Sequence, residues 1–158
     1  MAIKVIYTFL IGIFLAVFVG VGIAAFYPAP KFPEQPYSYH EIIKEATPSA
    51  EAKALSEKVY QQQKEYQVQT QKYNRNVSIA SLVAAIIIVI TSLTFFKTIL
   101  VIADGLLLGG IITLLYSVVR GFQAEDNMFR FVVVSIGLFT SLILGYVKFI
   151  QPTKKSKI

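Results

Sequence analysis

One carboxylate in this sequence is left inside an apolar run. Asp104 falls within an apolar run from Ile99 to Val119, about two helical turns or ~10 Å past Lys97 at the rise of an α-helix. An ionised carboxylate at the centre of a bilayer costs about 3 kcal/mol on insertion scales. Asp104 must therefore face other helices, a wet cavity or a compensating cation. Handling a proton or an ion is the chemistry such a group could offer. Its polar company within apolar runs is hydroxyls alone, among them Ser78, Ser81, Thr91, Ser92, Thr113, Ser117, Ser135 and Thr140. No second acid, histidine or arginine shares those runs, whereas a conduction path normally needs a chain of such groups. Pairing with Lys97 or Lys148 is the structural role favoured for Asp104.

Other chemistry is sparse. His40 is the one histidine, with Glu41 and Glu45 nearby, too loose a set for a metal site. There is no cysteine, hence no disulfide, thiolate ligand or cysteine nucleophile. A phosphate-cradling glycine loop, a nucleophile elbow and an HExxH helix are also missing. Asn76-Val77-Ser78 fits the glycosylation pattern but abuts an apolar run. The sequence is read as that of a non-enzyme without metal or cofactor.

The elements that would position these groups are long and apolar. Hydrophobic residues make up 55% of the 158, too many for an ordinary soluble domain of this size. Four runs reach the ~20 residues that a helix needs to cross hydrocarbon. The expected fold is an all-α integral membrane protein with four transmembrane helices and an extramembrane helical stalk continuous with the second. The expected segments are a first transmembrane helix within 1–27, a proline-rich strap and short helix in 28–48, and a polar stalk in 49–76. Three further spans (77–96, 99–119 and 129–150) and a basic tail, 151–158, complete the chain. The first run, Val5 to Phe26, is longer than the ~7–15 residues of a signal-peptide core and lacks a good cleavage site, so it is read as a retained anchor.

Four prolines between Pro28 and Pro36 preclude a helix and favour a stiff extended strap. A short helix is expected over Ser38–Ala46, halted by Thr47-Pro48. Ser49 is a suitable N-cap for a helix opening at Ala50-Glu51-Ala52, and nothing from there to Asn76 breaks it. Heptad spacing places Ala52, Val59, Tyr66 and Tyr73 on one seam, with Leu55, Gln62 and Gln69 alternating. That seam is too polar for a strong coiled coil. It suits packing on the proline strap or on a neighbour, with Val59, Tyr66 and Tyr73 as the contact residues.

Small residues mark the packing surfaces. Gly12, Ala16, Gly20 and Ala24 recur every four residues in the first span, Gly105 and Gly109 in the third, and Gly137, Ser141 and Gly145 in the fourth. Such stripes let helix backbones approach closely in lipid. They serve either the bundle itself or a partner helix.

Charge gives orientation. With four spans both termini share a side, which carries Lys4, Lys97, Lys148, Lys154, Lys155 and Lys157 and no acid other than the intramembrane Asp104. The opposite side holds nine Lys/Arg against eight Asp/Glu. The positive-inside rule puts the lysine-rich side in the cytoplasm and residues 28–76 outside, with the plasma membrane as the expected location. Anionic headgroups on the cytoplasmic leaflet, not nucleic acid, are then the partners of the net charge of +6. In the absence of tryptophan, Tyr7, Tyr27, Tyr73, Tyr116 and Tyr146 are the candidate interfacial aromatics.

One span, a loop of about fifty residues and three closely spaced spans give a layout similar to that of claudin-like tetraspan proteins. The resemblance is topological. The loop tryptophan and paired cysteines of that family are missing and this loop reads helical, so no residue or activity is carried over. The expected role is a structural or assembly component, either a homo-oligomer or a small accessory subunit of a membrane complex. The alternative is a small channel or transporter component with Asp104 as its proton or ion site.

Overall fold

A computed structural model describes residues 2–34, 50–95 and 99–150. The expected Ser38–Ala46 helix, the Ser49 cap, the His40 cluster, the Lys97 connection and the basic tail lie outside the described residues. Every regular element among the described residues is helical. They are α1 (Ala2–Phe26), α2 (Ala50–Phe95), α3 (Leu100–Phe122) and α4 (Asn127–Gly145), the last continuing as a π-helical turn, Tyr146–Ile150. All four helices are long and apolar enough to cross a membrane, which suggests an integral membrane protein.

The helices alternate in direction around α3. Ile11 of α1 sits over Gly105 of α3 and Leu15 over Gly109, so numbering climbs together and the two helices are parallel. Ser78 of α2 meets Ser117, and Ser92 meets Ala103, so α2 runs antiparallel to α3. Gly137 of α4 lies against Leu114, and Lys148 reaches Asp104, so α4 is antiparallel as well. Among the described residues no Cα of α1 lies within 8 Å of one of α4. The bundle is thus a central helix with three neighbours, open between two of them.

The α2–α3 seam is the most extensive contact. It is built on small residues two turns apart on both helices: Ser78, Ala85 and Ser92 oppose Ser117, Gly110 and Ala103. A Cβ on Gly110 would lie 2.7 Å from Val89 Cγ2, so only glycine lets the backbones come this close. The Ser78 hydroxyl donates to the Ser117 carbonyl at 2.8 Å and Ser117 returns the bond at 2.8 Å. At the other end Ser92 Oγ donates to the Ala103 carbonyl at 2.6 Å. The hydroxyls of Ser78, Ser92 and Ser117 are therefore satisfied without water, as an apolar surround requires.

Helix α2 is unbroken over 46 residues, about 69 Å at helical rise. The other described helices end level with its residues 71–76. Tyr27, just past α1, stacks on Tyr73 at 5.3 Å, and its hydroxyl accepts from Asn76. Arg120 of α3 donates to Asn74, and Glu125 beyond α3 accepts from Gln71. Residues 50–70 of α2 extend past these contacts by ~30 Å. Residues 28–34, the described part of the strap, approach α2 as well, with Phe32 packed edge-on against Tyr66 at 5.1 Å.

Two ends differ from the expected boundaries for local reasons. Helix α3 does not close at Arg120-Gly121 but continues to Phe122, because Gly121 is buried against Ser78 and Val133 rather than free to turn. Helix α4 opens at Asn127 because Asp126 caps it, its carboxylate accepting from the amides of Met128 and Phe129. Glu125 makes the preceding turn with φ of 55°, in the left-handed region.

Candidate functional site

Asp104 lies in the second turn of α3 and Lys148 in the π turn that ends α4. The lysine ammonium donates to the carboxylate at 2.5 Å, the one ion pair among the described residues. Lys148 and Asp104 keep 37% and 42% of their side-chain surface exposed. The pair therefore closes one end of the bundle rather than its centre. Of the two lysines expected as partners of Asp104, Lys148 is the one that reaches it. A π turn displaces side chains relative to the α-helical path.

Beneath the pair runs a cleft of ~450 Å³ between α1 and α4, floored by α3. Thr8 and Phe9 form one wall, Ser141, Leu144 and Gly145 the other, and Leu107, Leu108 and Ile111 the floor. On the opposite flank of Asp104 a smaller recess of ~280 Å³ is lined by Lys4, Val5, Thr8, Leu100 and Val101. Lys4 and Lys148 thus line the recesses on either side of Asp104 at one end of the bundle. No group of three metal-ligating side chains occurs among the described residues.

The small-residue stripes divide between use and exposure. Gly12 receives Leu108, Gly105 receives Ile11, Gly109 receives Leu15 and Gly137 receives Leu114. Ala16 is half-buried and Ala24 exposed. A Cβ added at Gly20 or at Gly145 would meet nothing within 4 Å, and Ser141 is exposed on the cleft wall. Val59 and Tyr73 of the heptad seam are buried at 2% and 7% exposure, and Tyr66 is half-covered. Tyr66 and Tyr73 spend their faces on Phe32 and Tyr27 of the same chain.

Two constellations escaped the sequence reading. The first is the α2–α3 seam, whose signal was small residues spaced by seven on both helices rather than by four on one. The second surrounds Arg120. Its guanidinium bonds Tyr116 Oη at 3.0 Å and Asn74 Oδ1 at 2.9 Å, and lies over the Tyr73 and Tyr116 rings. Asn74 is 4% exposed, so this cation holds a buried amide in place. The Tyr116–Arg120 spacing of four was the visible half of that cluster. Asn74 arrives from α2, which no local pattern reveals.

No family model, curated protein or solved structure matches this chain. The functional reading therefore rests on the geometry alone.

Proposed function

We propose that this chain is a non-enzymatic membrane protein whose work is assembly. It anchors a rigid helix in a four-span bundle and presents the outer half to a second copy or to another membrane protein. The observation that carries this reading is the unbroken α2. Its inner half is gripped by α3 through paired serines, while residues 50–70 run past the other described helices. On the face turned away from the strap, Tyr60, Lys64 and Val68 stand in a row, with Tyr60 67% and Val68 43% exposed. An aromatic and an aliphatic side chain on an otherwise polar helix suit a contact surface. Tyr66 and Tyr73 are already engaged within the chain and are no longer the residues for a partner. The lysine excess on the side of the termini supports a cytoplasmic placement of both ends and an external one for residues 28–76, in the plasma membrane.

The second reading, a small channel or transporter component, draws on the cleft beside Asp104. Against it, that carboxylate is paired with Lys148 at one end of the bundle.

The deciding experiment is the mass of the nanodisc-embedded particle, with all co-purifying proteins identified. A discrete homo-oligomer or heteromer is expected, and Tyr60→Ser with Val68→Ser should disperse it. A bare monomer would sink the assembly reading. Proton or ion flux in proteoliposomes that Asp104→Asn abolishes, with the particle mass unchanged, would establish the second.

A further inference from the structure

The cleft between α1 and α4 has an apolar floor, an ionic rim and no side chain filling it. From its rim at Asp104 and Lys148 it descends to Ile111 on α3 and Ser141 on α4. The α3 floor and the α4 wall each run seven residue steps, ~10 Å in depth. That is about a third of a ~30 Å hydrocarbon core, too shallow a seat for a partner helix that would cross the whole bilayer. It suits the first part of an acyl chain. Its ~450 Å³ lies within the range of small-molecule sites, about 300–1,000 Å³.

Charge selects the headgroup. Lys148 is neutralised by Asp104, but Lys4, on the other flank of that carboxylate, makes no ion pair among the described residues. The three side chains together carry one net positive charge at the level where a span meets headgroups. A phosphodiester carries one negative charge and would balance it. A partner helix would instead have to bring an acid of its own to that depth.

We propose that this cleft is a binding site for an anionic glycerophospholipid. One acyl chain lies on Leu107, Leu108 and Ile111, and the phosphate is shared by Lys148 and Lys4. Asp104 is the positioning residue that holds Lys148 over the mouth. The site rests on reading the four helices as spans. That reading has its own test in whether the intact chain partitions with membranes after carbonate washing.

Gly145 makes the site testable, because it lines the cleft while an added Cβ there meets nothing within 4 Å. Gly145→Leu should fill the cleft without disturbing the bundle. Gly20→Leu, equally unopposed but outside the cleft, is the control. Delipidated protein is titrated with phosphatidylglycerol, phosphatidylcholine or glycerol phosphate and read by native mass spectrometry. A saturable phosphatidylglycerol adduct is expected, with weak phosphatidylcholine binding and none by the chain-free phosphate. Gly145→Leu should weaken it at least tenfold and Lys148→Gln about fivefold, while Gly20→Leu leaves it unchanged. Should Gly145→Leu fold poorly, Ser141→Leu fills the same wall. Equal retention of phosphatidylcholine, or undiminished binding by the filled variants, overturns the proposal. So does release of a bound polypeptide by Gly145→Leu with lipid binding intact, which would make the cleft a protein seam.

Discussion

Helix α3 meets its neighbours in two unlike ways. Toward α2 it presents Ala103, Gly110 and Ser117, and the facing residues are equally small, so the backbones close on each other and the hydroxyls bond directly across. On the side between α1 and α4 it presents Asp104, Leu107, Leu108 and Ile111, and an open cleft remains. The first face leaves no space and no unsatisfied serine, while the second leaves both room and charge. For helices that span a membrane, hydrocarbon supplies no hydrophobic drive between them, and close contact with satisfied polar groups takes its place. Permanence belongs to the α2 face and occupancy to the cleft.

Overfilling the tight face should do the most damage. In Gly110→Leu the Cβ would be driven to within 2.7 Å of Val89 Cγ2, with the Ala85 carbonyl 3.5 Å away, so neither helix can yield without separating. We expect a loss of about 3 kcal/mol, at the upper end for overpacking, measured by equilibrium unfolding in mixed micelles. Gly145→Leu should change the same measurement by less than about 0.5 kcal/mol, the usual size for a surface substitution. Equal losses at the two sites would erase the contrast between the faces.

The serine pair sharpens the comparison at a smaller scale. Ser78→Ala and Ser117→Ala each remove one crossing hydrogen bond and leave a carbonyl that keeps its own helical partner. Each should cost about 1 kcal/mol, in the range found for hydrogen bonds between membrane helices. The two hydroxyls also lie 3.4 Å apart, so the double variant should fall short of the sum by about 0.5 kcal/mol. Strict additivity would mean that the reciprocal geometry does not couple them.

How much of this was legible in the sequence follows from the range of each signal. Four apolar runs are local properties, and all four appear as long apolar helices. The heptad at Ala52, Val59, Tyr66 and Tyr73 is local as well, since residues seven apart share one side of a helix, and Val59 and Tyr73 are buried there. What covers Tyr66 and Tyr73 was half visible: the strap was one of two stated candidates, and Phe32 and Tyr27 supply the contacts. Pairwise facts were less accessible. The Asp104 partner was narrowed to two lysines, and only the turn of the chain at Tyr146–Ile150 brings Lys148 to it. The Asn74–Arg120 bond joins residues far apart in sequence, and periodicity in one helix carries no information about the other.

The smallest effect should come from the ion pair itself, and its smallness is informative. Asp104 and Lys148 are both more than a third exposed, so solvent competes for each charge and most of the Coulomb gain is screened. Asp104→Asn preserves the shape and a hydrogen-bond acceptor, and should cost at most about 0.5 kcal/mol in the unfolding assay. Lys148 would then lose its neutralising partner, leaving two uncompensated cations at the rim with Lys4. The stability change should therefore be slight while affinity for phosphatidylglycerol shifts, upward if the freed charge outweighs the lost positioning of Lys148 and downward if positioning dominates. A cost of several kcal/mol would instead mark Asp104 as part of the packed bundle, and the distinction between a closed face and an open one would have to be redrawn around it.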